Sequence, residues 1–194
     1  METLERTIME LSDRVNSIKP STTLGVAARV KELKAQGVDV IGFGAGEPDF
    51  ITPGNIREAA IGALNEGKTH YAPVPGEPEA REAIAKKLKD ENGIDCVASD
   101  VVISTGAKQS IYLALQCLLD PGKGQEVIVP TPAWVSYFPM VQLAGGTVIE
   151  VPGAVDNDFR ITPDQLEQAI TPQTRVLMMD NKCNTGGTMY SPAE

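Results

Sequence analysis

The chain has 194 residues and a formal net charge of −9, with 42% hydrophobic and 22% charged residues. It is long enough for a sizeable core, and the acidic balance disfavours nucleic acid or an anionic membrane surface as a partner. No apolar run approaches the roughly 20 residues needed to span a bilayer, and the opening Met1-Glu2-Thr3-Leu4-Glu5-Arg6 has no apolar signal core, so a cytoplasmic address is expected.

Residues 1–20 read as an irregular arm ending at Lys19-Pro20. Ser21 caps a predicted helix running to about Gln36, with Leu24, Ala27, Ala28 and Leu33 on one face. Val38 to Phe43 reads as a short apolar strand entering Gly44-Ala45-Gly46-Glu47-Pro48-Asp49. Thr52-Pro53 opens a helix that stops at Gly67, and the proline-rich stretch from Lys68 to Pro78 is a loop. Glu79 to Glu91 is a third helix, ended by Gly93. From there strands and helices alternate: strand 101–104, helix 107–119, strand 126–129, helix 132–143, strand 147–151, helix from Thr162-Pro163 to about 170, strand 175–179. That alternation predicts an α/β fold with a mainly parallel sheet flanked by helices. Ser191-Pro192-Ala193-Glu194 announces a further helix, which predicts that the chain is a fragment.

Four segments can carry chemistry. Ser104-Thr105-Gly106-Ala107-Lys108-Gln109 joins a strand to a helix, where backbone N–H groups and the positive helix end suit a phosphate, although any such turn can hold Gly and Ser for structural reasons. The glycines at 42, 44 and 46 have the wrong spacing for a dinucleotide loop and read as a plain connection or as backbone that can approach a ligand. Thr131-Pro132-Ala133-Trp134-Val135-Ser136-Tyr137 follows a strand, and the only Trp can either stack on a flat ring or pack in the core. Asp180-Asn181-Lys182-Cys183-Asn184-Thr185-Gly186-Gly187 also follows a strand, where Asn either forms a turn or donates to a ligand oxygen. Cys96, Cys117 and Cys183, with the lone His70, form no metal pattern, so no metal and reduced thiols are expected.

In order and spacing, Gly-Glu-Pro-Asp-Phe at 46–50, Tyr-Ala-Pro at 71–73, Ser-Thr-Gly-Ala-Lys-Gln at 104–109, Pro-Ala-Trp-Val-Ser-Tyr at 132–137 and the Asn-rich loop near 184 resemble the class I aminotransferases of fold type I. These are pyridoxal 5'-phosphate (PLP) enzymes, and the likeness is greatest to the bacterial aspartate aminotransferases. The resemblance covers essentially the whole chain. It implies an N-terminal arm and small-domain segment over 1–48 and an incomplete PLP-binding large domain over 49–194. It implies that Gly46 faces the substrate α-carboxylate and that Gly106, Ala107 and Lys108 bind the cofactor phosphate through their N–H groups. Trp134 would stack on the pyridine ring, Asn184 would hydrogen-bond the cofactor's phenolic oxygen, and Tyr71 would reach the phosphate of the neighbouring subunit in a homodimer.

The family's Schiff-base lysine, the aspartate at the pyridine nitrogen and the substrate-clamping arginine are expected downstream of residue 194, so no catalytic residue is assigned within the chain. One departure is local. The family loop usually reads Asn-Pro-x-Asn-Pro-Thr-Gly, whereas here Lys182 and Thr185 replace the prolines and Gly186 stands at the Thr. The implied reaction is amino-group exchange between an amino acid, aspartate or glutamate foremost, and a 2-oxo acid. The alternative is a non-catalytic, truncated or degenerate homologue that binds a phosphate ligand or a partner subunit. Another fold-type-I lyase or decarboxylase fits the match at Gly46, Trp134 and Asn184 less well.

Overall fold

The computed structural model describes residues 10–44, 46 and 48–193. In chain order the elements are helices α1 (Asp13–Asn16), α2 (Thr22–Ala35), α3 (Gly54–Asn65), α4 (Pro78–Asn92) and α5 (Gly106–Leu118), strand β1 (Glu126–Thr131), helix α6 (Tyr137–Leu143), strand β2 (Thr147–Pro152), helix α7 (Pro163–Ala169) and strand β3 (Thr174–Leu177). They fall into two units, Lys19–Val102 in one and Ile103–Glu194 with the N-terminal segment to Ile18 in the other.

In the unit built on Ile103–Glu194, the three strands form one parallel sheet in the order β2-β1-β3. The central strand explains the core. Val127, Ile128 and Val129 are all fully buried, because β1 has neighbours on both edges and helices on both faces. Alternation divides them: Val127 and Val129 pack with Leu115, Leu119, Met140 and Val141, while Ile128 packs with Val151, Ile161 and Leu166. Thus α5 and α6 cover one face and α7 the other. The placement of α6 and α7 follows from handedness. The step from β1 to β2 and the return from β2 to β3 run in opposite directions, so right-handed crossovers put the two connecting helices on opposite faces.

Local signals account for several boundaries. Thr162 Oγ1 accepts from Gln165 N–H at 3.2 Å and Gln165 Oε1 accepts from Thr162 N–H at 2.9 Å, a reciprocal cap that starts α7 at Pro163. Past the end of β3, Met178 N–H still donates to Ile128 O at 2.9 Å. Gly153 is required by crowding, since a Cβ there would lie 2.1 Å from the carbonyl oxygen of Phe159.

In the Lys19–Val102 unit, Ser21 caps α2 as expected, with its Oγ accepting from Leu24 N–H at 3.4 Å. Arg81 on α4 donates to the carbonyl of Val101 at 2.9 Å. Buried apolar side chains are sparse among the described residues: Ala85 and Val101 are buried, whereas Leu24, Ile56, Ile61 and Leu64 stay exposed.

Four expectations need correction. The segments 38–43 and 101–104 are apolar but form no strand, because neither finds a ladder partner; Ile41, Phe43 and Val102 are exposed. Residues 132–136 form a turn, and α6 begins only at Tyr137. The arm before Lys19 holds a short helix, α1, capped by Ser12. Pro53 sits at the cap of α3 rather than at its first helical position.

Candidate functional site

The candidate site lies in the Ile103–Glu194 unit, on segments that follow β1 and β3 and at the start of α5. Parallel sheets place ligands at the carboxyl ends of their strands, because the loops there are free of the ladder and helix starts point toward them. The turn into α5 is set by Gly106 at φ +77°, a left-handed conformation that L side chains avoid. A Cβ at Gly106 would meet nothing within 4 Å, so the glycine serves backbone geometry and leaves open space.

The amide inventory of this turn is specific. Gly106 N–H is turned back onto Ser104 O at 2.8 Å, and Thr105 N–H donates to Gln109 Oε1 at 2.6 Å. Ala107 and Lys108, in the first turn of a 13-residue helix, have no backbone acceptor outside the helix among the described residues. Their N–H groups and the positive end of α5 are therefore available to an anion. Ser104 Oγ and Ser110 Oγ are hydrogen-bonded across the turn and hold it together.

Trp134 stands in the turn after β1, half-buried against the α5–α6 core cluster. Its indole makes an edge-on contact with the Tyr137 ring, centroids 5.5 Å apart and planes at 88°. Lys108 Nζ sits 5.2 Å from the indole centre. The phosphate-type turn and the one indole are thereby brought together. Core packing and ligand stacking were competing readings of Trp134; its half-buried position accommodates both.

The loop after β3 is tied down by hydrogen bonds. Asn184 N–H donates to Asp180 Oδ2 at 2.9 Å, Cys183 N–H to Thr188 O at 2.8 Å, and Tyr190 N–H to Asn181 Oδ1 at 2.9 Å. The Asn184 carboxamide is exposed and has no protein partner among the described residues. Cys183 Sγ lies 3.3 Å from Pro132 O and 3.3 Å from Thr185 Oγ1. Burial alone would raise the Cys183 thiol, but hydrogen bonds from Thr185 and from the backbone of Gly186 and Thr185 outweigh it and hold the thiol below its usual value.

Between the two loops is a pocket of about 440 Å³, part of it open solvent, lined among others by Pro132, Tyr137, Met178, Asp180, Cys183 and Tyr190. Burial, then the charge of Asp180 and a hydrogen bond to it, push the Tyr137 phenol up to about 12. Sequence reasoning assigned no role to Asp180 or Tyr137. The available signal was an acid directly after a strand, masked by the turn-forming asparagines around it.

Gly46 and Tyr71 belong to the other unit. Gly46 is exposed with nothing within 4 Å of a Cβ, and the Tyr71 side chain is fully exposed. Among the described residues no group of three His, Cys, Asp or Glu side chains could hold a metal ion, and no helix is long and apolar enough to cross a membrane.

The open amides at the start of α5 and the indole suit a ligand with an anionic group and a flat ring. The family model for aminotransferase class I and II matches residues 38–194. The aspartate aminotransferase of Geobacillus stearothermophilus is 49% identical over 186 residues, 96% of this chain and 47% of that protein. A probable aspartate/prephenate aminotransferase of Aquifex aeolicus is 45% identical over 95% of this chain and 46% of its own length. The solved structure of Thermus thermophilus aspartate aminotransferase with maleate superposes with a TM-score of 0.91 at 44% identity, covering 96% of this chain and 48% of that one. The chain spans about half the length of the relatives it matches.

Proposed function

The chain belongs to the class I and II aminotransferases, and from that premise we propose that it supplies the phosphate-binding and ring-facing part of a PLP-dependent amino-acid aminotransferase. The whole polypeptide would exchange an amino group between an amino acid, aspartate or glutamate foremost, and a 2-oxo acid. Prephenate or an aromatic partner fits the same half-site. The observation that carries the reading is the juxtaposition of open amides at Ala107 and Lys108 with the indole of Trp134, linked by the 5.2 Å Lys108–Trp134 contact.

When bound, the cofactor serves as the electron sink for bonds at the substrate α-carbon. The chain's residues bind and orient it. The amides of Ala107 and Lys108 donate to the phosphate at the positive end of α5, and Gly106 provides the turn and the close approach. Trp134 offers its ring face. The free carboxamide of Asn184 donates to the phenolic oxygen. Gly46, with no side chain to intrude, faces the substrate carboxylate, and Tyr71 reaches the phosphate site of a second copy in a homodimer. The same family reading puts the arm and small-domain segment over 1–48, the large-domain portion over 49–194, and the protein in the cytoplasm. For the 194 residues alone the proposal is binding; the Schiff-base lysine is assigned to the rest of the polypeptide.

The test uses the chain itself. PLP titrated into it should quench Trp134 emission saturably, and inorganic phosphate should compete. Borohydride should then leave no adduct concentrated at one lysine. An absence of saturable quenching overturns the half-site, and a single dominant phosphopyridoxyl-lysine overturns the assignment of that lysine to another segment.

A further inference from the structure

The loop 181–187 contains no proline, so no ring restricts its backbone, yet it must present Asn184 in one orientation if Asn184 is to meet a ligand. Hydrogen bonds take that role, and several converge on Cys183. Its N–H donates to Thr188 O at 2.8 Å and its carbonyl accepts Gly187 N–H at 2.8 Å, while the next amide, Asn184 N–H, donates to Asp180 Oδ2 at 2.9 Å. Both backbone groups of Cys183 are thus engaged inside the loop, and its thiol reaches out of it. Cys183 Sγ lies 3.3 Å from Pro132 O, 51 positions away and in the turn that carries Trp134. Thr131 O, the last carbonyl of β1, accepts Gly153 N–H at 2.8 Å, whereas Pro132 stands one residue past the strand, where its carbonyl has left the ladder.

We propose that Cys183 is a positioning residue: its thiol donates to the Pro132 carbonyl and clips the Asn184 loop to the Trp134 turn, fixing the spacing of two side chains that face the cofactor ring. The proposal rests on the cofactor reading above for what those side chains touch, but the clip belongs to the chain alone. The direction of the bond follows from the groups present. A carbonyl only accepts, so the single thiol proton points at Pro132 O. The Thr185 hydroxyl, 3.3 Å from the same sulfur, is then the donor in that second contact and holds the sulfur from the loop side. Cys183 is half-buried and lines, with Pro132, the pocket between the two loops, so water competes less for the thiol bond than at an open surface. The paths onward are short: Asn184 follows Cys183 directly, and Trp134 stands two residues after Pro132.

The experiment follows the Ala133 amide and the Trp134 indole N–H by nitrogen-correlated NMR in the unliganded chain and measures PLP affinity from Trp134 quenching. The Ala133 N–H shares its peptide unit with the Pro132 carbonyl, so its nitrogen reports whether that carbonyl accepts a bond. Both reporters are remote from Cys183 in sequence, so a shift there is not a neighbour effect of the substitution. Cys183→Ala is expected to displace both resonances and to weaken PLP by about two- to threefold, the lower end for one neutral hydrogen bond, since a thiol is a weak donor. Cys183→Ser retains a donor and should return both resonances toward the parent. Thr185→Val leaves the thiol proton on Pro132 O and should keep the Ala133 amide close to its parent position. An unmoved Ala133 amide in Cys183→Ala overturns the bond, and an unmoved indole overturns its transmission to Trp134. Cys183→Ser matching Cys183→Ala, or Thr185→Val displaced as far, overturns the thiol as donor. Parental PLP affinity in Cys183→Ala, where the parent binds PLP, overturns the positioning role. If the parent does not bind PLP, the cofactor reading fails, and the Ala133 and Trp134 displacements still decide whether the clip exists.

Discussion

Lys108 Nζ lies 5.2 Å from the centre of the Trp134 ring, so the first turn of α5 and the turn after β1 meet through a cation and an indole. The contact has two consequences. It places a positive charge beside the two open amides, reinforcing the proposed anion site on a chain whose net charge is −9. It also makes the one tryptophan a reporter of that site.

Replacing the cation separates these roles. Lys108→Met keeps the aliphatic stem and removes the charge. Stability in urea should fall by no more than about 1 kcal/mol, the worth of an exposed cation–π contact. Trp134 emission should change in wavelength or intensity, and inorganic phosphate should compete less well for PLP. An unchanged emission spectrum would show that the ammonium is not held over the ring in solution.

Gly106 tests the turn by its backbone alone. At φ +77° an alanine is strained, yet its Cβ would touch nothing within 4 Å. Gly106→Ala should therefore cost about 1–2 kcal/mol without any clash. It should also weaken phosphate competition, since relaxing the turn re-aims the amides of Ala107 and Lys108. Gly62→Ala in α3 is the control: the space is open and the conformation helical, so stability should hold or rise by about 0.5–1 kcal/mol. If both variants behave alike in the phosphate assay, the turn geometry at Gly106 is not what binds.

What the amino-acid order made legible, and what it did not, divides along one physical line. Features fixed by a few neighbouring residues were readable: the caps at Ser21 and Thr162, the stop at Gly93, and the β1 run whose alternation splits Val127 and Val129 from Ile128. Features that need a distant partner were not. Val101-Val102-Ile103 has the composition of a buried strand, but a strand exists only where another edge pairs with it, and here none does. Trp134 and Lys108 were visible as residues, while their contact depends on how α5 and α6 pack on β1. Asp180 was hidden for the same reason: it lines one pocket with Tyr137, which is far away in the sequence.

That contrast can be measured at two aliphatic positions. Ile128 is fully buried between neighbours on both edges, so Ile128→Ala should cost about 2–5 kcal/mol in urea unfolding. Val102 is 64% exposed, and Val102→Ala should stay within about 0.5 kcal/mol of the parent. A core-sized loss at Val102 would mean that 101–104 is a packed strand in solution after all.

Tyr137 gives the pH prediction. Its phenol is raised to about 12, chiefly by burial and then by the charge of Asp180 and the hydrogen bond to it. An unfolded tyrosine ionises near 10. Between those values the unfolded chain releases a proton that the folded chain retains, so stability is fully present below about pH 10 and is lost as pH rises toward about 12. Two units correspond to roughly 2–3 kcal/mol, which is the most this residue can contribute to the alkaline decline. Tyr137 should therefore ionise late when phenolate absorbance is followed. Tyr137→Phe should remove that late step and flatten stability between pH 10 and 12. Asp180→Asn removes the charge but not the burial, so the step should move down only part of the way toward 10. A Tyr137 that ionises near 10 would mean that the phenol is open to water and that Asp180 does not act on it.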